Sequence, residues 1–453
     1  MKIQKKTIVK LIVCSVVLLT AVIVCITRWS AWFGNLPEPA YNTPPQPHNI
    51  IMTYGADATK DRTISWRADT VEQDFALVLE MPDKTKLEFE PTDSLVVTRN
   101  GKGVYYRVEL HNLKKGKYHY QIIGDKYESR WYDFEIRNSN NLSFIVFGDV
   151  QDEVGGPSKQ MFSMVDSLHH NVNFWAFVGD IIERPMDVYW QYWFECMNDV
   201  PTHKPIIAAT GNHEHLKGLK KTRDNRWTNI FGNPHNGPER FAGTTYYVDF
   251  QNMRFIVIDT DGLTLFSDYT RTSAWLRKVA DNDKRWNILM LHHPIYSTCQ
   301  GRDNTLLNII FRHSLKHIDI VLEGHDHSYA KRFSRTDTTL TTPVYIETTS
   351  AQKYYLSKVS PDDDRILSGH PVYNCIDIMN NTLIFRTYMI EGNTLYDQFT
   401  IEKTDSSLNI INQEPDTPEI IDLPDKYKGK NNIKIRRFNN RKAAREKNVK
   451  GEK

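Results

Sequence analysis

Six side chains of metal-binding type lie in five short clusters along the 453-residue chain, and each cluster directly follows an apolar run. They are Asp149, Asp180, Asn212, His292, His325 and His327. Carboxylate and amide oxygens neutralise or solvate cation charge, and neutral imidazole nitrogens suit divalent transition metals. Taken singly, a Gly-Asp step is usually a turn and a His-x-His pair is usually exposed. Five clusters in this order predict one site for two metal ions.

The apolar runs predict the elements that carry these clusters. Unbroken runs occur at 144–147, 174–178, 206–209, 255–258, 288–291 and 318–322. Helical patterns at 159–168 and 273–280 lie between them. Continuous apolar runs that alternate with helices indicate strands buried on both faces, and hence an α/β domain over residues 138–405. In such domains ligands bind beyond the carboxyl ends of the strands, which is where the clusters fall.

Three other regions flank this domain. Residues 49–137 hold short alternating segments separated by turn residues, which predict an all-β sandwich of about seven strands. Five prolines in residues 36–48 indicate an extended linker. Residues 406–453 are polar and end in a run with twelve Lys or Arg against two Glu, which we expect to be a solvated tail.

The N-terminal residues 1–35 predict export. Four lysines precede an uncharged run at 11–27, and Arg28 alone follows it, so the N-terminus is expected on the cytoplasmic side. We interpret the segment as an uncleaved signal anchor. A cleaved signal peptide and a lipoprotein attached through Cys25 are the alternatives, and all three place the remaining chain outside the cytoplasm, with the anchored forms held at the membrane.

The basic tail is a candidate for contact with anionic lipid or a cell-surface polymer. Specific nucleic-acid binding is not expected, because only Tyr427 and Phe438 supply aromatic rings among its charges. The net charge of the whole chain is only +2 and favours no class of partner.

The cluster pattern resembles the calcineurin-like metallophosphoesterase superfamily, and within it the purple acid phosphatase-like branch. The match lies in Gly-Asp149, Gly-Asp180-x-x-Glu183, Gly-Asn212-His213-Glu214, His292 ahead of Pro294, and Gly-His325-x-His327. It extends over residues 40–403. The resemblance implies a four-layer αββα sandwich preceded by an immunoglobulin or fibronectin-III-like domain. Members of the branch are often dimers, although nothing in the sequence establishes an oligomeric state here.

The resemblance also implies roles for the residues. Asp180 would bridge both metals, Asp149 and His327 would complete the first site, and Asn212, His292 and His325 the second. His213 would touch the phosphate. Oriented by Glu183, it is the candidate either to stabilise charge in the transition state or to protonate the leaving group.

Two positions depart from the branch pattern. Glu183 replaces its tyrosine, so no purple iron(III) colour is expected. Gln151 replaces a histidine or glycine, and either a metal-ligand or a hydrogen-bonding role is open for it.

Two arginines are candidate phosphate clamps. Glu183-Arg184 resembles the protein phosphatase pattern, in which the acid pairs with the histidine equivalent to His213 and the arginine binds phosphate. Arg302 lies in the loop after the fourth cluster. For both arginines the alternative is a surface residue paired with an acid, and His293 is expected to lie outside the ligand set.

The predicted activity follows from the metals. Two divalent or mixed-valence ions (manganese, iron or zinc) would generate a bridging hydroxide that attacks phosphorus. The favoured substrates are small phosphate monoesters. A phosphodiesterase or pyrophosphatase with the same site is the first alternative, and a non-catalytic anchored binding module is the second.

Overall fold

The computed structural model describes residues 5–71, 73–99, 101–137 and 139–451. Its first element is helix α1 (Lys5–Phe33). Within it, Lys10–Phe33 has a mean hydropathy of 2.6 over its most apolar window, and none of that window is buried against the protein. The helix is long and apolar enough to cross a membrane.

The N-terminal β region consists of eight strands where about seven were predicted. They are β1 (His48–Tyr54), β2 (Arg62–Ala68), β3 (Ala76–Glu80), β4 (Lys86–Phe89), β5 (Thr92–Val97), β6 (Lys102–Leu110), β7 (Gly116–Ile123) and β8 (Tyr132–Ile136). They form two antiparallel sheets, in the orders β1-β2-β6-β5 and β4-β3-β7-β8. The alternating inward side chains of both sheets share one core, which includes Trp66, Tyr106 and Tyr118.

The second region contains the remaining strands and helices. The strands are β9 (Asn141–Phe147), β10 (Phe174–Phe177), β11 (Ile206–Ala208), β12 (His215–Leu216), β13 (Thr222–Arg223), β14 (Tyr246–Asp249), β15 (Met253–Ile258), β16 (Trp286–Leu291), β17 (Ile320–Glu323), β18 (Ser328–Thr336), β19 (Thr339–Glu347), β20 (Arg365–Ser368), β21 (Val372–Met379), β22 (Thr382–Met389), β23 (Thr394–Lys403), β24 (Leu408–Asn412) and β25 (Ile420–Ile421). The helices are α2 (Ser158–Leu168), α3 (Asp187–Met197), α4 (Val200–His203), α5 (Arg226–Ile230), α6 (Phe266–Ala280), α7 (Thr305–Phe311) and α8 (Ile433–Gly451). Short 3₁₀ turns occur at Asn212–Glu214, Glu239–Phe241, Arg312–Ser314, Glu391–Asn393 and Asp425–Tyr427.

Two large sheets stack face to face in this region. One has the order β11-β10-β9-β21-β22-β23-β24, and the other β14-β15-β16-β17-β19-β18-β20-β25. A shared apolar core lies between them. Helices α2 and α3 cover the outer face of the first sheet, and α6 and α7 cover the outer face of the second. The layers are therefore helix, sheet, sheet and helix, in an α/β fold.

The predicted strands are confirmed. Each of the six apolar runs overlaps a strand, and the two helical patterns fall in α2 and α6. Strands β9, β10 and β11 run parallel in one sheet, and β15, β16 and β17 run parallel in the other. The clusters that follow these strands therefore leave from carboxyl ends in both sheets.

The segment after residue 405 differs from the expected solvated tail. Strand β24 pairs with β23, and β25 pairs with β20. Helix α8 buries Ile435 and Phe438, and Phe438 packs with Leu356 and Ile421 in a small core. Two apolar residues three apart in the basic run give the helix one buried face, which the local charge density conceals in the sequence.

The linker has neither helix nor strand over residues 34–47, and it is held against the second region. Glu38 is buried and pairs with Arg226, which is also buried. Asp187 of α3 lies 2.7 Å from Arg67 of the β sandwich and 3.0 Å from Arg226. This buried network joins the linker, the sandwich and the second region, and each charge in it has an opposite partner.

Candidate metal centre

The structure brings the predicted ligands together in two adjoining groups. The ligand atoms of Asp180, His292 and His325 lie within 4.8 Å of one another, and so do those of Asp149, Asp180 and His327. Asp180 belongs to both groups, which is the arrangement that a carboxylate shared by two cations requires. Asn212 follows β11, next to His213, whose backbone N–H donates to Asp180 Oδ1 at 2.8 Å.

The ligand side chains are aimed by unusual backbone conformations at the strand ends. Asp149, Asp180, His325 and His327 all have positive φ, between 38° and 75°. Residues other than glycine seldom adopt this region, although aspartate and histidine tolerate it better than most. Hydrogen bonds hold the conformations, since His325 N–H donates to the Asp149 carboxylate at 2.9 Å and Gln151 N–H donates to Asp180 O at 3.0 Å.

Glycines let the loops approach one another closely. A Cβ at Gly211 would lie 2.2 Å from Asp180 Oδ1, and one at Gly179 would lie 2.7 Å from His292 Nδ1. Both distances are impossible for real atoms. Gly179 also has a φ of +95°. A glycine is therefore needed there both for the backbone conformation and for the close contact.

Glu214 positions the Asp180 loop, a role that sequence reasoning did not assign. Its buried carboxylate accepts hydrogen bonds from the backbone N–H groups of Gly211 (2.6 Å), Ile181 (2.7 Å) and Asp180 (3.1 Å). Burial raises the pKa of Glu214 to about 8. The feature of the sequence that could have indicated this role is the position of Glu214 in the Gly-Asn-His-Glu cluster.

The histidine tautomers are set by backbone carbonyls. His292 Nδ1 lies 3.0 Å from Val178 O, and His327 Nδ1 lies 3.0 Å from Lys353 O. With Nδ1 protonated, Nε2 is the atom of each ring that could bind a cation. Nε2 of His292 lies 3.2 Å from Asp180 Oδ2, and Nε2 of His327 lies 3.9 Å from Asp149 Oδ1. Both Nε2 atoms therefore face the carboxylates.

The electrostatics of the site favour bound cations. Burial raises the pKa of Asp149 to about 8. Burial works against charge on His292, but the Asp180 carboxylate outweighs it and raises the His292 pKa to about 10. Burial lowers the pKa of His327 to about 3. In the metal-free protein these pKa values favour a proton on Asp149 and on His292, and bound cations would displace both protons.

Two orphaned amide oxygens fit the same interpretation. Asn212 Oδ1 and Gln151 Oε1 are buried, and neither has a hydrogen-bond partner among the described residues. A buried acceptor without a donor is costly, and a cation would satisfy it. Gln151 Nε2 meanwhile donates to Glu183 Oε2 at 3.1 Å, so the hydrogen-bonding role of this residue is present and its oxygen is still available. Carboxylate, amide and imidazole donors together suit the two divalent ions of the sequence prediction.

His213 lies beside the ligands, and the main-chain oxygen of Glu183 orients it. Its Nδ1 is 2.5 Å from Glu183 O, whereas the Glu183 carboxylate is 3.8 Å away. Its Nε2 lies 3.2 Å from Gln151 Nε2 and 3.9 Å from Asp180 Oδ2. The expected acid–histidine pairing is therefore mainly a contact to the backbone of that acid.

The two candidate arginines differ. Arg302 Nη1 donates to His325 O at 3.1 Å, and Nη2 lies 2.6 Å from His325 Nε2, so its guanidinium adjoins the ligands. Arg184 donates to the Tyr189 hydroxyl at 2.9 Å and lies 3.4 Å from Glu153, as the paired-arginine alternative anticipated.

Two aromatic rings complete the surroundings of the ligands. The His293 ring packs 4.3 Å from that of His325, and His293 belongs to neither ligand group. The Tyr355 ring stands edge-on to His327 with centroids 5.0 Å apart. No motif in the sequence signalled Tyr355, because it lies in a loop that carries none of the clusters.

Comparison with known proteins agrees with this geometry. Residues 142–329 match the model of the calcineurin-like phosphoesterase family, while no curated protein matches the chain. Purple acid phosphatase PPD1 from seeds of yellow lupin (Lupinus luteus) superposes with a TM-score of 0.66 at 14% identity, covering 80% of this chain and 75% of that one. PhoD superposes with a TM-score of 0.57 at 11% identity, covering 92% of this chain and 100% of that one.

At these identities the two structures show a common fold, and the chemistry is carried by the family match and the ligand geometry. The chain therefore contains a calcineurin-like phosphoesterase domain and is a metal-dependent phosphoesterase.

Proposed function

We propose that this protein hydrolyses small phosphate monoesters outside the cytoplasm, with two divalent metal ions bound between Asp149 and His327. The observation that carries the proposal is the position of Asp180 in both ligand groups. Asp149 and His327 would complete one site, and Asn212, His292 and His325 the other. Two ions held in this way would acidify water and neutralise phosphate charge.

The remaining residues would act on the substrate. His213 presents Nε2 toward Asp180, with its other nitrogen fixed on Glu183 O, so it is positioned to protonate a leaving oxygen. The Arg302 guanidinium beside His325 would pair with phosphate oxygens. The Glu183 carboxylate accepts a hydrogen bond from Gln151 and so fixes the Gln151 side chain. Arg184 pairs with Glu153 and would stabilise the loop that carries Glu153.

The test compares nitrophenyl phosphate with bis-nitrophenyl phosphate on protein loaded with manganese, iron or zinc. We expect the monoester to have the higher kcat/KM. Asp180→Asn should abolish turnover, because it weakens both metal sites together, whereas Asp199→Asn, on an exposed aspartate, should not. A strong diester preference would replace the monoesterase by a diesterase that uses the same site. Full turnover by Asp180→Asn would overturn the metal mechanism.

We also infer that α1 anchors the chain in a membrane, with the phosphoesterase domain on the extracytoplasmic side. The apolar span Lys10–Phe33 supports the anchor, and the lysines before it support the orientation. Recovery of the full chain in the soluble fraction after alkaline carbonate extraction would contradict the anchor.

We assign the N-terminal sandwich to the immunoglobulin or fibronectin-III class and infer that it braces the phosphoesterase domain. Its two antiparallel sheets around one core support the class, and the Arg67–Asp187 contact supports the bracing. A chain without residues 36–137 that folded and kept full turnover would contradict the bracing role.

A further inference from the structure

Three cationic side chains surround the ring of Tyr355 at the edge of the candidate metal centre. The Arg302 guanidinium carbon lies 4.6 Å from the ring centroid, Lys353 Nζ lies 5.5 Å away and Lys426 Nζ 5.6 Å away. Tyr355 itself stands against His327, and Arg302 contacts His325. The cluster therefore begins at the predicted metal ligands and extends outward from them.

The C-terminal segment supplies part of this cluster. Lys426 belongs to the 3₁₀ turn Asp425–Tyr427, before α8. Gln300 Nε2 donates to the main-chain oxygen of Lys434, at the start of α8. The Lys434 Nζ lies 4.0 Å from where a Cβ on Gly301 would stand, next to Arg302. The docking of α8 through Ile435 and Phe438 holds these lysines at the mouth of the site.

The charges of the cluster are not balanced by the protein. Within the described part of the chain, Lys353 and Lys426 form no ion pair, and Arg302 has one carboxylate, Asp326, at 3.5 Å. The nearby Asp425 is already paired with Lys428 at 2.6 Å. A tyrosine face stabilises one exposed cation only weakly, and like charges around a single ring repel one another.

We propose that Tyr355, Lys353 and Lys426, beside Arg302, form a subsite for a second anionic group on the substrate. The preferred substrates would carry another phosphate beyond the scissile one, at the distance of about one sugar unit, as in a sugar bisphosphate. This inference rests on the proposed hydrolysis of phosphate esters and names its substrate class. The scissile phosphate lies at the metals, and the second phosphate pairs with the lysines at the rim.

The proposed subsite gives part of the positive charge of the C-terminal segment a role in substrate binding. Part of its charge faces the substrate, and part is structural, since Arg445 pairs with Glu419 at 2.7 Å and donates to the carbonyl of Asp363 at 2.8 Å. Substrate selection would then depend on residues that lie outside the span 142–329 matched by the family model.

The experiment measures phosphate release from glucose 1-phosphate, glucose 6-phosphate and glucose 1,6-bisphosphate by the full metal-loaded chain. The readout is the kcat/KM of the bisphosphate divided by the sum of the kcat/KM values of the two monophosphates. Two independent ester groups give a ratio of about one, and we expect roughly tenfold or more for the wild type. Lys426→Gln and Lys353→Gln should each lower this ratio by about threefold to tenfold, because each removes one charge-assisted contact.

Lys430→Gln is the matched control, because Lys430 is exposed in the same segment and, among the described residues, neither pairs with an acid nor stands over the Tyr355 ring. It should leave the ratio unchanged. Turnover of these substrates with a wild-type ratio near one, or a ratio that Lys426→Gln does not lower, overturns the subsite and leaves the phosphoesterase proposal standing. Loss of binding to anionic vesicles in Lys426→Gln with an unaltered ratio also overturns it, in favour of surface attachment. Failure of the wild type to hydrolyse the sugar phosphates while it hydrolyses nitrophenyl phosphate also overturns the subsite, whereas failure on all of these esters with every metal rejects the proposed function itself.

Discussion

The shared ligand Asp180 depends on a carboxylate that touches no predicted metal position. Glu214 accepts hydrogen bonds from the backbone of Gly211, Asp180 and Ile181, so it fixes the loop on which Asp180 sits. Glu214→Gln keeps the shape but turns an N–H₂ group toward backbone donors. We expect kcat/KM for nitrophenyl phosphate to fall by about 10- to 100-fold, the usual cost of losing a residue that orients a metal ligand.

Metal content separates this positioning role from a loss of folding. Glu214→Gln should bind less metal by elemental analysis, and higher metal concentration should restore part of the activity. Glu195→Gln, on an exposed glutamate of α3, should change neither quantity. Unaltered metal affinity together with unaltered activity in Glu214→Gln would show that the backbone holds Asp180 without this carboxylate.

At the scale of elements, the linker between α1 and the β sandwich makes a buried contact that can be tested by truncation. A chain that begins at Asn35 loses α1 but keeps Glu38, which pairs with the buried Arg226. A chain that begins at Asn49 loses Glu38 as well. Breaking a buried ion pair costs about 3–5 kcal/mol, and the cost falls below that here because Arg226 retains Asp187 and Asp224.

We therefore expect the chain from Asn35 to leave the membrane fraction and to unfold in urea at the same midpoint as the detergent-solubilised full chain. The chain from Asn49 should have a clearly lower free energy of unfolding. Equal stability of the two truncated chains would mean that the linker is only a spacer.

The sequence predicted the elements and clusters well because both depend on local patterns. The unbroken apolar runs of β9, β10 and β16 could only be strands buried on both faces, and polar clusters at their ends had to meet. Positive φ at Asp149, Asp180, His325 and His327 could not be predicted, since it results from contacts between loops that are distant in the chain. The folded C-terminal segment was also missed, because Phe438, in a run with twelve basic residues, becomes significant only when Leu356 and Ile421 cover it.

At the scale of the whole molecule, the buried site should make the metal-free protein less stable as pH rises above neutral. Burial raises the pKa of Asp149, Glu214 and Glu323 to about 8, and the Asp180 carboxylate, against burial, raises that of His292 to about 10. A group whose pKa is raised by folding contributes stability at low pH, which is lost as pH rises through the folded pKa.

Buried histidines act in the opposite direction, but only at lower pH. Burial lowers the pKa of His327 to about 3 and of His293 to about 4, so their stabilising effect is lost as pH falls below about 6.5. Above about pH 7.5 these histidines are neutral in both the folded and the unfolded chain. The groups with raised pKa values then set the slope of stability against pH.

We therefore expect the chelator-treated protein to melt a few degrees lower at pH 9 than at pH 7.5. Manganese or zinc should reduce this difference, because a cation stabilises ionised Asp149 and neutral His292 in place of their protons. Part of the difference should persist, since Glu214 and Glu323 lie outside both ligand groups. Thermal unfolding followed by circular dichroism at both pH values, with and without metal, measures the effect. A metal-free melting temperature that rose across this window would contradict the burial of unpaired charge at the site.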